Sequence, residues 1–213
     1  MVSAEQIVEL QDGETRALHR AEAAVSGTKA NAGPEGRADW IEVVRSQHRA
    51  NFELWHIEDE ARAPGASDAE VAGVKRRVDR TNQRRNDLAE QLDRALLEWL
   101  EPRGLPNPAA ELNSESPGLM IDRLSILALK IYHTRDEAKR AGAPAGHATR
   151  NFDRLAILEE QRRDLAACLD ALWRETLQGK RRFKLYRQLK MYNDPALNPA
   201  IYSASAQAKL PGG

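Results

Sequence analysis

One phrase of ten residues occurs twice in this chain, and the repetition limits the fold more than any other feature. ELWHIEDEAR begins at Glu53 and KIYHTRDEAK at Lys130, so His, Asp, Glu and Ala recur 77 positions apart. Moved by that offset, residues 53–100 fall without a gap on residues 130–177, and fifteen of forty-eight positions are identical. The pairs run the length of the segment: His56/His133, Asp59/Asp136, Glu60/Glu137, Gly65/Gly142, Arg77/Arg154, Arg85/Arg162, Asp87/Asp164, Leu92/Leu169, Asp93/Asp170 and Glu98/Glu175. Shared composition does not hold one register over so long a span, whereas a duplicated helical hairpin does. Each hairpin has an apolar stripe to remove from water, and two hairpins can bury each other. The expected fold class is all-α: a four-helix bundle built from a duplicated helical hairpin, with an extra N-terminal helix and a basic C-terminal helix plus extended tail.

The punctuation of the chain agrees. Residues 3–25 can form an amphipathic helix, followed by the linker GTKANAGPEG. Asp39 and Glu42 stand in capping-box spacing at the start of the next helix, which APG stops after Arg62. Ser67 and Glu70 repeat that spacing before a helix reaching about Leu100. Ser116-Pro117 opens a third helix, with proline where its missing N–H is not needed, and AGAPAG ends it. The fourth runs from about Thr149 to Gln178 and closes at Gly179, a natural C′ residue. The basic segment KRRFKLYRQLKMY reads as a short capping helix whose aromatics dock on the bundle, before the tail NDPALNPAIY. The organisation is thus residues 1–38, an N-terminal helix and linker; 39–101, the first hairpin; 102–116, a connection; 117–179, the second hairpin; and 180–213, the basic helix and tail. All belong to one domain. The four bundle helices alternate in direction, with the first diagonal to the third and the second to the fourth.

Composition removes several function classes. Lys+Arg and Asp+Glu balance at 32 each, which gives no electrostatic case for bulk nucleic-acid or membrane binding. Cys168 is the only cysteine, so no internal disulfide can form and nothing asks for an oxidising compartment. MVSAEQIVELQDGE lacks the basic and apolar regions of a secretory signal, and LSILAL is too short to span a bilayer. A cytoplasmic location is expected. No P-loop, GxGxxG or nucleophile elbow is present.

The third helix is apolar nearly all round, and against that background Asp122, Ser125, His133 and Asp136 share one sector. The first helix presents His48, Phe52, His56 and Asp59 in the matching sector. Each helix therefore offers a His-x-x-Asp pair, which can ligate a metal or hold an imidazole tautomer for proton transfer. His56, Asp59, His133 and Asp136 are the candidate catalytic residues. Axial levels at ~1.5 Å per residue set His56 opposite Arg77 and His133 opposite Arg154. His48, Asn51, Asn82, Arg85, Arg162 and Lys190 are candidates for binding an anionic ligand, since Arg85 and Arg162 interrupt apolar stripes and need a carboxylate or a bound anion. Asp87-x-x-Glu90-x-x-Asp93 is similar to the acidic pairs with which all-α nucleotide pyrophosphatases hold Mg²⁺, although His56/Asp59 would have to replace the first acidic pair and Ala167 replaces Glu90 in the second repeat. The candidate metal set is accordingly His56, Asp59, Asp87, Glu90, His133 and Asp136, for a divalent ion. The same layer serves equally as a duplicated ion-pair network that fixes register without chemistry.

The phrases NFELWHIEDEAR, NQRRNDLAEQLD, NSESPGLMIDRLSILALKIYH and KLYRQLKMYNDPALNPAIY together resemble the uncharacterised bacterial "domain of unknown function 4254" family, from about Asn51 to Tyr202. The resemblance implies a helical cytoplasmic protein, often encoded beside glycosyltransferase and surface-polysaccharide genes, and brings no catalytic residues with it. Two functions are expected. One is binding or processing of a phosphorylated or sugar-nucleotide ligand at the polar site between the repeats, with or without a metal. The other is a non-enzymatic adaptor for glycan-biosynthesis enzymes. The oligomeric state stays open, a dimer included. A pocket reaching the polar residues would favour the first, and a sealed layer the second. If a ligand's phosphate neutralises Arg85, replacing that residue with Met should leave the free protein unharmed.

Overall fold

The computed structural model describes residues 3–24 and 40–189. Asp39, the glycine-rich linker, Lys190 and the tail lie outside the described residues. Five helices make up most of the described residues: α1 (Ala4–Ala24), α2 (Trp40–Glu60), α3 (Asp68–Leu100), α4 (Pro117–Ala138) and α5 (His147–Leu177). A single 3-10 turn (Glu101–Arg103) follows α3, and β1 (Glu111–Leu112) and β2 (Arg181–Arg182) form a two-residue parallel pair. The chain is mainly helical, as expected. No described helix is long and apolar enough to cross a membrane.

Local signals act where the sequence puts them. At α3 the Ser67 backbone N–H donates to Glu70 at 2.8 Å, and the Ser67 hydroxyl oxygen accepts from the Glu70 N–H. Pro117 occupies the first turn of α4. Gly65 and Gly142, repeat partners, sit in the two hairpin turns with φ of 85° and 71°, a region that any side chain would strain. The hairpins α2–α3 and α4–α5 are the two most extensive helix pairs.

The helices do not close into a ring of four. α4 touches all four others, whereas α2 and α5 do not meet. α1 stands between them, packed on α2, α4 and α5. It contributes Ala4, Ile7, Gln11 and Thr15 to the interior beside Val43, Val44, Leu92, Ile121, Leu124 and Leu169. Two repeat-equivalent aspartates fasten helix starts. Asp93 accepts the Gly118 N–H at 2.7 Å and the Ser116 hydroxyl at the N-terminus of α4, while Asp170 accepts the Ala4 N–H at 2.9 Å at the N-terminus of α1. α1 therefore stands to α5 as α4 stands to α3.

The basic helix expected after Gly179 is absent among residues 180–189. Arg181 and Arg182 are extended instead, because their backbone is used elsewhere. They pair with Glu111 and Leu112, Asn113 N–H donates to the Arg182 carbonyl at 2.8 Å, and Arg182 Nε donates to the Ala110 carbonyl at 2.9 Å. Phe183 is fully buried among Leu96 and Leu100, with Leu97, Leu105 and Trp173 around it. One aromatic does dock, from the non-helical segment directly after β2.

The tightest seam is where α3 meets α4. A Cβ on Gly118 would lie far inside contact distance of the Ala89 carbonyl oxygen and 2.9 Å from the Asp93 carboxylate. Gly118→Ala should cost about 1–3 kcal/mol as overpacking. Urea unfolding should show a lower midpoint with an unchanged slope.

Candidate functional site

Two polar layers lie where α2 crosses α4. The deeper one is built around His48, which is fully buried. Thr15 Oγ1 donates to the Gln11 carbonyl at 2.8 Å and so accepts from His48 Nε2 at 2.9 Å. His48 Nδ1 is left to accept from Ser125 Oγ at 2.8 Å, and Asn51 Nδ2 donates to Ser125 Oγ at 2.9 Å. Donors and acceptors match along the chain only if His48 is the neutral Nε2–H tautomer. Burial, helped by Arg49, holds its pKa down to about 4. Asp122 closes the layer, accepting from Asn51 at 3.0 Å and from Gln47, with Arg85 Nε at 3.5 Å. Its pKa is raised, because burial outweighs Arg85 and the two amide donors.

About two turns further along α2 and α4 the second layer consists of rings. His56 and His133 face each other at 6.0 Å between centroids, and His19 of α1 joins them at 5.4 Å and 4.9 Å. One ring nitrogen of each lies within 4.8 Å of the others. Tyr132 stacks on His19 at 4.3 Å, Trp55 stacks on His133 at 4.6 Å, and Phe52 packs against both His19 and His56. His133 Nε2 is buried without a hydrogen-bond partner. Burial, then the neighbouring imidazoles, lowers the His133 pKa to about 4, against the smaller opposite effect of Asp59 and Asp136. At neutral pH its lone pair is available.

The candidate residues are thus divided. His56 and His133 meet. Asp59 and Asp136 are exposed; they act on His133 through their charge, and Asp59 lies 3.7 Å from Arg62. Asp87 takes a hydrogen bond from Gln83, and Glu90 takes one from the Gln188 N–H. The Glu60–Arg77 bridge at 2.5 Å fixes the level of α3 against α2, which sets Asp87 and Glu90 about 9 and 13 Å further along the axis than His56. They belong to no common site with the histidines. The arginines expected opposite the two histidines are engaged elsewhere: Arg77 pairs with Glu60, and Arg154 donates to Asn151 at 3.5 Å. Arg162 is bound by Asp12 of α1 at 2.8 Å. Both core-facing arginines therefore have a carboxylate beside them: Asp12 hydrogen-bonds Arg162, while Asp122 stands 3.5 Å from Arg85 Nε, which has no hydrogen-bond partner. Asn82 is half-buried on α3, and Lys190 lies outside the described residues.

His19 escaped the sequence reading. It continues the buried stripe Ala4, Ile7, Gln11, Thr15 by one more step of four, and that was its only signal.

A cavity of about 300 Å³ opens between α2, α3 and α4, lined by Asn51, Trp55, Glu58, Asp59, Arg62, Arg85 and apolar Leu54, Ile126 and Leu129. It thus reaches three of the candidate residues and shares Trp55 with the ring layer. A larger groove of about 630 Å³ between α4 and α5 touches neither layer.

Fold and site together define a helical protein with two polar layers at one helix crossing, one centred on buried His48 and bordered by the cavity at Asn51 and Arg85, the other of imidazoles. The chain belongs to the family described as Protein of unknown function (DUF4254), whose model matches residues 41–185. His19 lies before the matched segment. No curated protein and no solved structure matches the chain.

The His48 layer has a pH signature. His48 titrates near 4 when folded and near 6.5 when unfolded, so the unfolded chain binds more protons between those values. Its contribution to stability is intact above pH 6.5 and falls by up to about 3 kcal/mol as pH drops to 4. Asp93, pushed up to about 6 mainly by burial, acts in the opposite sense, favouring the folded state as pH falls from 6 to 3.8. His48→Gln should therefore flatten the acid loss of stability, measured as urea midpoints at pH 7 and 4.5.

Proposed function

We propose that this protein binds a phosphorylated or sugar-nucleotide ligand in the cavity between α2, α3 and α4. The observation that carries the reading is that the cavity reaches Asn51, Asp59 and Arg85 instead of leaving them sealed. Its chemistry suits such a ligand. Trp55, Leu54, Ile126 and Leu129 offer an apolar wall for a base or sugar face, Arg62 and Arg85 offer guanidiniums to phosphate oxygens, and Asn51 and Asp59 can take hydroxyl groups. A cytoplasmic setting beside glycan-building enzymes is part of the same proposal, resting on the family resemblance and the single cysteine.

We also read the two hairpins as copies of one ancestral hairpin, with an axis passing between α2 and α4. Residues on such an axis must touch their own copies. His48 bonds Ser125 and His56 faces His133, each pair 77 positions apart, and Gly65 and Gly142 make equivalent turns.

A different observation supports the adaptor reading. Arg85 and Arg162 are already neutralised, and the His48 layer is closed on itself. In that case the polar layers only fix register, and the partner docks elsewhere.

Thermal shift against inorganic phosphate, nucleotides and nucleotide sugars separates the two. Arg62→Met, at an exposed position, should abolish the ligand-induced shift while leaving the melting point of the free protein in place. Arg85→Met should also abolish it, and should now cost about 1–3 kcal/mol in the free protein, because Asp122 loses a cation but keeps Asn51 and Gln47. No shift with any compound, together with the same cost for Arg85→Met, would leave the adaptor reading standing.

A further inference from the structure

We propose that His19, His56 and His133 form a three-nitrogen site for a divalent transition metal of the zinc class, assembled where α1 docks against the crossing of α2 and α4. The site adjoins the cavity through Trp55 and Asp59, but none of its three ligands lines that cavity, and it stands independently of the ligand reading.

The geometry comes first. Three imidazoles from three different helices bring one ring nitrogen each within 4.8 Å of the others. Three nitrogens at zinc bond length in a tetrahedron are about 3.4 Å apart, so the trio needs to close by little more than 1 Å at its widest pair. Small turns of the rings within their stacks would have to supply that closure. The rings are also held in place. Tyr132 lies flat on His19, Trp55 lies flat on His133, and Phe52 abuts His19 and His56, which leaves the imidazoles a narrow range of orientations. His133 Nε2, buried without a hydrogen-bond partner, is the kind of atom a metal would satisfy.

Ordinary aromatic packing does not account for the residue type. Phe or Leu would fill the same space without bringing three polar heterocycles into mutual edge contact, and burying imidazole nitrogens carries a desolvation cost. Donor chemistry then selects the ion. Three neutral nitrogens and no carboxylate in the trio favour Zn²⁺, Co²⁺, Ni²⁺ or Cu²⁺ over Mg²⁺ or Ca²⁺. Three protein ligands also leave a coordination position for water or substrate, the pattern of catalytic rather than closed structural zinc sites. Asp59 and Asp136, exposed and within electrostatic reach of His133, would offset part of the dication's charge from the solvent side. This differs from the acidic metal set expected from the sequence: the histidines stay, Asp87 and Glu90 leave, and α1 supplies the third ligand.

The consequence is a link between metal and fold. His19 is the one member of the trio outside both hairpins, so the ion would tie α1 to α2 and α4 and stabilise the protein in proportion to its affinity.

The test uses the full chain in a Cys168→Ser background, stripped with chelator and titrated calorimetrically with Zn²⁺, with Mg²⁺ as comparison. Co²⁺ substitution reads the geometry through its visible ligand-field bands. The expected result is one Zn²⁺ per chain, no Mg²⁺ binding, tetrahedral Co²⁺ bands and a raised melting point. His56→Ala and His133→Ala should each weaken Zn²⁺ binding more than about 100-fold, beyond the usual cost of losing an outer-shell partner. His19→Phe keeps a ring against Tyr132 and Phe52, preserving packing, and should weaken binding equally. His147→Ala, outside the trio, should change nothing. Zn²⁺ affinity unaltered by His19→Phe, or no stoichiometric Zn²⁺ binding by the wild-type chain, overturns the proposal. Both outcomes are read without any cavity ligand, so the nucleotide screen stands or falls separately.

Discussion

The burial of α4 is the constraint on which the rest of the structure depends. Packed by α1, α2, α3 and α5, this helix buries half of its 22 residues, and on that side a polar side chain has no solvent to which it can turn. Yet it carries Asp122, Ser125 and His133. An unpaired buried hydroxyl or amide costs on the order of 1–3 kcal/mol, and a charge costs more. Three of its four neighbours are therefore recruited to its needs: Asn51, Gln47 and His48 come from α2, Arg85 from α3, and Thr15, through His48, from α1. Once these partners are fixed, the rotation and height of α2 against α4 are fixed too. That same register sets His56 opposite His133 two turns away.

α1 decides how the two hairpins become one body. A symmetric pair would set α2 against α5, as α3 is set against α4, but α1 takes that place and is capped by Asp170 in the way Asp93 caps α4. It brings its own chemistry to every layer it crosses. Asp12 neutralises Arg162, Thr15 fixes the tautomer of His48, and His19 completes the ring cluster. The asymmetry between repeats follows. Trp55 stacks on His133, but its copy Tyr132 stacks on His19 and not on His56.

What could be read in the sequence follows from which interactions leave a periodic or local trace. Hairpins, turn glycines, the Ser67–Glu70 cap and the burial of α4 all do, and each is present. The repeat also placed His56 and His133 on matching sectors, so their meeting was legible. Partners that come from another element leave no such trace. Nothing in the spacing of α3 says that Asp122 will face Arg85, and nothing in the repeat announces a helix that lies outside it. The basic segment failed for a related reason. Its helix propensity is local, but the free energy of seating Phe183 and pairing Arg181 with Glu111 is tertiary and prevails.

An axis between like residues also imposes a rule about hydrogen. Two identical groups in direct contact must either both be indifferent to direction or break their equivalence, because one has to donate and the other accept. At the deep layer the contact is a hydrogen bond of 2.8 Å, and there the copies differ: His48 accepts and Ser125 donates, with Thr15 and Asn51 completing the sequence of donors. Two histidines in that place would need opposite tautomers or a shared proton in a site where burial disfavours charge. At the ring layer the centroids are 6.0 Å apart and no hydrogen bond joins the pair, so identity carries no penalty and both copies are histidine. A cation between them would reinforce that identity, since it accepts lone pairs from both sides alike. If the hairpins are copies of one, as proposed, the difference at His48/Ser125 and the identity at His56/His133 are two outcomes of one symmetry, separated by whether the contact has a direction.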